Sequence, residues 1–174
     1  FARWGRPIAP VAFGIEDQSL SVLKSMIETV ICLAGHEVSE TDPELGSNIM
    51  FFFLRDWKEL REIPNMERLV PDLAPLTRKL QAKEANQYRL FRFDEKGGIK
   101  ACFVFLRMDE HLSAVSTETL CLSQIVQSIL LWSDQAFQSQ SPLAVVEDGP
   151  TILRTEIAEL IRAAYSASLP AHSN

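Results

Sequence analysis

Four neutral polar side chains stand together on one otherwise apolar stretch: Ser123, Gln124, Gln127 and Ser128. Their spacing, i, i+1, i+4 and i+5, gathers them into a single seam if the stretch is helical. Hydroxyls and amides arranged this way serve either backbone groups inside the fold or a ligand lying in a groove. They supply no nucleophile–base pair and no metal donor set, so the chemistry on offer is binding rather than reaction. No charged residue falls between Glu118 and Asp134, and the seam is therefore neutral as well as polar.

The remaining reactive residue types are scattered. Gly35 to Glu40 (Gly, His, Glu, Val, Ser, Glu) opens like the zinc-hydrolase motif, which needs a second histidine four positions after the first. The position in question is Glu40. The segment also follows a helix-ending glycine, and in a strand the side chains at i and i+4 lie ~13 Å apart, too far to share an ion. His111 and His172 are the only other histidines, and Cys32, Cys102 and Cys121 lack CxxC spacing, so no metal site or cofactor is expected. GxGxxG, GxxxxGK[ST] and GxSxG do not occur, which removes the recognisable phosphate cradles and the nucleophile elbow. The alternative to binding is a peptidase-like hydrolase using Asp109, Glu110, His111 or Cys121 as proton carriers and nucleophile. Charged residues just past a strand end are commonly solvated loop, however, and Cys121 has no activating charge beside it. Arg89 and Arg92 fall on opposite faces of one strand, and with Arg107 they read as edge charges that discourage aggregation.

Holding such a seam in place takes a folded domain. The chain has 174 residues, 47% hydrophobic and 23% charged, which suits one domain spanning 1–174, with 171–174 expected to be a mobile tail. It opens on Phe1 rather than methionine, which reads as a processed or trimmed start. A net charge of −6 disfavours nucleic acid and anionic lipid as partners. No apolar run approaches the ~20 residues of a transmembrane span.

Hydrophobic periodicity predicts a strand over Arg6–Gly14 and a helix from Asp17 or Ser19 to Ala34, closed by Gly35. A short strand over His36–Glu40 and a turn over 42–46 follow. Asn48–Leu54 is nearly all apolar, as a strand covered on both faces should be. Next come a short helix about Asp56–Glu62, a mixed-charge helix over Leu73–Ala85, and a hairpin of Gln87–Phe93 with Ile99–Leu106. The seam belongs to a helix over Leu120–Trp132. After a polar loop over Gln135–Gly149, a last helix begins at Pro150 or Thr151 and lines up Leu153, Ile157, Leu160, Ile161, Ala164 and Tyr165. The order predicts an α+β or α/β fold, with a mixed sheet of about five strands, a terminal antiparallel hairpin and helices packed on it.

The cysteines leave two alternatives open. A Cys102–Cys121 bridge would close a loop of roughly 20 residues and add about 3 kcal/mol. Three reduced thiols in a reducing compartment fit the residues equally well, with Cys32 a small core side chain.

A set of short motifs resembles an uncharacterised family of exported bacterial domains across almost the whole chain. They are Arg3 to Ile8, Leu33 to Val38, Asn48 to Phe52, Cys102 to Val104, the Cys121 helix with Gln127, and Ile161 to Tyr165. That family is similar to a reduced zinc-peptidase fold, in which strands and an antiparallel edge precede an active-site-like helix and a C-terminal helix. Its helix usually carries a cysteine, then paired acidic residues and a glutamine. Cys121 and Gln127 match, but Ser123 and Gln124 stand where the acidic pair would be, and Leu130 or Leu131 where glycine is common. The resemblance implies a non-catalytic domain with a degenerate zincin-like helix, periplasmic or secreted, envelope-associated or bound to a protein or peptide partner. It also implies the Cys102–Cys121 disulfide, since exported domains live where disulfides persist.

Overall fold

Two almost continuously apolar stretches, Ile49–Leu54 and Ile99–Arg107, lie side by side at the centre of a sheet in the computed structural model, which describes residues 1–132, 136–137, 141–145 and 151–166. Successive side chains of a strand point to opposite faces, and here both faces are covered. Phe51, Cys102, Val104 and Leu106 join one apolar cluster; Phe52, Leu54, Phe103 and Phe105 join a second one on the other side.

In chain order the elements are β1 (Ala2–Arg3), β2 (Pro10–Phe13), α1 (Asp17–Ala34), β3 (Ile49–Leu54), a 3₁₀ turn (Trp57–Arg61), α2 (Met66–Leu69), α3 (Leu73–Ala82), β4 (Gln87–Phe93), β5 (Ile99–Arg107), α4 (Glu110–Ala114), α5 (Thr117–Ile129), β6 (Leu130–Leu131), β7 (Leu143–Val145), β8 (Thr151–Leu153) and α6 (Thr155–Ala164). The main sheet has the order β2-β3-β5-β4, with β2, β3 and β5 parallel and β4 antiparallel on the outside. The first cluster joins α1, α5 and α6 to one face; the second joins the 3₁₀ turn, α2 and α3 to the other. Two small antiparallel pairs, β1 with β6 and β7 with β8, complete an α+β fold with a mixed sheet.

Several expected boundaries move, each for a local reason. The main sheet has four strands, because His36–Glu40 makes only one bridge, Val38 to Ile8, and Arg6–Gly14 contracts to β2. The helix expected over Asp56–Glu62 is a 3₁₀ turn in which Asp56 accepts a hydrogen bond from the Lys58 amide (2.8 Å). Helix α5 starts at Thr117 because the Ser116 hydroxyl caps the Thr119 amide (3.2 Å), and it stops where Leu130 turns extended to pair with β1. Residues 151–153 form β8, so the last helix begins only at Thr155. Part of the expected polar loop is β7; its stretches 133–135, 138–140 and 146–150, and the expected tail 171–174, lie outside the described residues.

A fully buried Asn48 ties the start of β3 to the chain before β2. Its amide donates to the Pro7 carbonyl (2.9 Å) and to Asp42 Oδ2 (2.9 Å), while its oxygen accepts from the Ala9 amide (2.7 Å).

The C-terminal end of α5 has no glycine, and its orphan carbonyls need donors. Three side chains from elsewhere supply them. Trp4 Nε1 donates to the Ser128 carbonyl (2.9 Å), Tyr165 Oη to that of Ile129 (2.5 Å) and Trp132 Nε1 to that of Val126 (2.8 Å). Tyr165 Oη also accepts from the Trp4 amide (3.1 Å), so the first and last described segments lock together over the end of α5. Removing one such donor leaves a buried carbonyl unsatisfied, which costs about 1–3 kcal/mol. Trp4→Phe and Tyr165→Phe are each expected to lower stability by about that amount in urea unfolding, with an unchanged far-ultraviolet spectrum.

Candidate functional site

The seam of α5 is turned toward the outer strand of the sheet. Register places Arg89 opposite Val104 and Phe91 opposite Cys102, so alternation directs Gln87, Arg89 and Phe91 to the α5 face of β4. There Arg89 Nη2 donates to Gln124 Oε1 (2.5 Å) and Nη1 to Gln127 Oε1 (3.4 Å). Further bonds set the orientation of both amides. Gln124 Nε2 donates to Gln87 Oε1 (3.2 Å), and Gln127 Nε2 to the Ser123 hydroxyl (2.9 Å) and carbonyl (3.2 Å). The Ser128 hydroxyl donates back to the Gln124 carbonyl (2.7 Å). Both glutamine oxygens therefore face one guanidinium. Gln124 and Ser128 are buried, Ser123, Gln127 and Arg89 half-buried, and Gln87 exposed.

The charge at the centre meets no carboxylate among the described residues. None of the ion pairs among the described residues includes Arg89, and its Nε is buried with no hydrogen-bond partner. Burial holds the Arg89 pKa below its ordinary value, with the adjacent Cys102 acting weakly the other way. Burial pushes the Cys102 thiol up to about 12, against the pull of Arg89 and a bond with Ser128. A thiol titrating there is neutral near pH 7 and is no counter-ion. Amide oxygens satisfy guanidinium N–H groups, but they do not cancel its charge.

The other arginines behave differently. Arg92 lies on the opposite face and donates to the Leu69 carbonyl. Arg107 donates to the carbonyls of Ala85 (3.0 Å) and Glu84 (3.2 Å) and pairs with Asp109 (3.5 Å). Arg89 is thus not the solvated edge charge expected from its strand, but a cation turned inward. Part of its signal was available: strand parity puts Arg89 on the face of Phe91, which is the face α5 covers.

The expected disulfide is not formed: Cys102 and Cys121 are both buried and free, and Cys32 is exposed and free rather than a core side chain. The reason is register along α5. Cys102 sits beside Ser128, seven residues or about 10 Å along the axis from Cys121, whereas a bridge needs Cα atoms within about 7 Å.

The residues weighed for hydrolysis have separate local roles. Asp109 caps α4 by accepting from the Leu112 amide (2.8 Å), which holds its carboxyl below the usual range. Glu110 and His111 are exposed on that short helix. Burial raises the Cys121 thiol to about 11, and Cys121 faces a cavity of about 310 Å³ shared with Gly14, Phe53, Met108 and Leu120 at the carboxyl ends of β2, β3 and β5. No hydrogen bond among the described residues joins His111 to Cys121. His36 donates through Nε2–H to the Arg6 carbonyl (2.7 Å) and packs on the Tyr165 ring. Among the described residues no three His, Cys, Asp or Glu side chains converge where an ion could sit; His172 lies outside them. No described helix is long and apolar enough to cross a membrane.

Comparison with protein-family models, with curated proteins and with solved structures finds no match to this chain.

Two measurements check this geometry. In native protein without reductant, thiol titration should give one fast-reacting group, Cys32, and three after denaturation; two groups fewer in denaturant would restore the bridge. Burial lowers the His36 pKa below its ordinary 6.5, the Arg6 carbonyl opposing and Arg3 adding to the shift. The unfolded chain therefore takes up this proton first on acidification, so stability should fall as pH drops below about 6.5. The fall, read from urea midpoints between about pH 7.5 and 5.5, should shrink in His36→Gln.

Proposed function

We propose that this chain is a non-catalytic, exported binding domain with a zincin-like layout whose helix has lost its metal ligands. One observation carries the reading. Ser123, Gln124 and Gln127 hold the i, i+1, i+4 spacing that a zinc peptidase fills with two imidazoles and a carboxylate, and two of them instead grip a cation belonging to the chain itself. Arg89 does electrostatically what a metal would do for that helix face, giving its oxygens a positive partner. A guanidinium does not deprotonate in proteins and has no open coordination position, so it neither generates hydroxide nor polarises a carbonyl as a Lewis acid.

Export and attachment to the envelope are proposed on the resemblance of short motifs to exported domains, among them the segments of Trp4 and Tyr165, which meet over the end of α5. Burial shields the free thiols of Cys102 and Cys121 in an oxidising compartment, whereas the exposed Cys32 thiol would be open to oxidation there.

Purified protein should contain no stoichiometric zinc by elemental analysis, and a chelator should leave its melting temperature unchanged. A broad peptide and ester screen should show no turnover that His111→Ala or Cys121→Ala removes. One equivalent of tightly held zinc, or hydrolysis lost in either variant, would replace the binding domain with an enzyme.

A further inference from the structure

We propose that Arg89, with Gln127 and Gln87 beside it, anchors a carboxylate carried on an apolar ligand, an assignment that rests on the binding-domain reading above. A guanidinium has five N–H groups, two on each terminal nitrogen. Nη2 uses one on Gln124 and Nη1 one on Gln127, the latter at 3.4 Å, near the outer limit of a hydrogen bond. One N–H on each terminal nitrogen remains for the paired contact that a carboxylate makes with arginine.

The surroundings favour an anion supplied from outside. The chain has 23 acidic side chains against 17 basic, yet no ion pair among the described residues brings one of them to Arg89. Asp42, Glu44 and Asp109 meet Arg6, Lys100 and Arg107 instead. Solvent reaches the rim of the place, where Gln87 is exposed and Gln127 half-buried, while Arg89 lies half-buried between them on the outermost strand. The charge is single, because Arg92 faces the other side and Arg107 is held by its own neighbours. One cation among neutral amides matches a monoanion better than a phosphate dianion, which rewards several positive groups.

An apolar body for the ligand is suggested by the next positions on β4. Phe91 and Phe93 stack with ring centres 6.4 Å apart, and Phe93 leaves 43% of its surface exposed. Phe93 lies about 13 Å along the strand from Arg89. The nearer ring, Phe91, is about 7 Å along the strand, a span that suits a carboxylate followed by one or two apolar residues, as at the C-terminus of a peptide.

The test is calorimetric titration of the intact chain with acetylated alanyl-phenylalanine, its C-terminal amide, phenylacetate and inorganic phosphate. The free acid should bind, and its amide should bind at least about tenfold more weakly. Phenylacetate binding as tightly as the dipeptide would assign a free organic acid as the ligand; weaker binding would assign a peptide terminus, and either supports the carboxylate anchor. Gln127→Glu places a carboxylate against the guanidinium from within. It should raise the melting temperature and weaken the dipeptide about tenfold or more, while Arg89→Met loses the same binding. In nitrogen-15 spectra, the Arg89 Nε signal should move on adding the dipeptide acid. The assignment is overturned if the amide binds equally, if Gln127→Glu binds like wild type, if phosphate binds more tightly than the dipeptide acid, or if no carboxylate binds at millimolar concentration. Absence of both zinc and carboxylate binding would remove this anchor and leave the non-catalytic reading standing; zinc with hydrolysis of the dipeptide would remove both.

Discussion

A guanidinium held under a helix against two neutral amides is the interaction on which the site depends. Hydrogen bonds to a charged group contribute about 1.5–3 kcal/mol each, whereas taking a charge from water without a counter-ion costs several kcal/mol. The short bond to Gln124 supplies most of the offset and the 3.4 Å contact with Gln127 less, and only while both oxygens stay in place. Helix α5 therefore has to be held against translation and rotation. The clamp at its C-terminal end does this, where Trp4, Trp132 and Tyr165 fix three carbonyls of the last turn. On its other flank α1 packs along it, through Leu23, Ile27, Val30 and Ile31.

The same constraint explains why the sheet ends where it does. Strand β4 delivers Gln87 and Arg89 to α5 while its alternate residues, Tyr88 and Leu90, join the second cluster with α3. A bulge at Arg92 and Phe93 shifts the register just beyond Phe91. Outer strands are commonly blunted by charged side chains. Here one of the two strand arginines, Arg92, reaches a backbone carbonyl on its own face, and the other is drawn inward.

Much of this fold was legible because its signals are local. Continuous apolarity in Ile49–Leu54 marks a strand covered on both sides, and Gly35 adopts the left-handed conformation (φ +72°) that closes α1. The hairpin glycines and the neutral seam were equally readable. What escaped depends on partners far away in sequence. Two-residue strands such as β1 and β6 have no periodicity to detect. The Asn48 network needs Pro7, Ala9 and Asp42 brought together before its meaning appears. The disulfide expectation failed for a related reason: a cysteine on a strand and another on a helix can share one cluster while differing by two helical turns in height. For Arg89, parity showed the face but not the partner.

The neutrality of the seam is itself a condition of the proposed role. An aspartate or glutamate at position 123, 124 or 127 would pair with Arg89, cancel its charge and occupy its remaining N–H groups. The site would then be a closed internal ion pair, with nothing to offer an incoming carboxylate. An imidazole pair would favour a metal and compete with the guanidinium for the same space. Serine and glutamine do neither: they orient the cation and leave its charge unspent. With Ser123 and Gln124 where an acidic pair would close the site, a fixed positive charge stays beside the outermost strand.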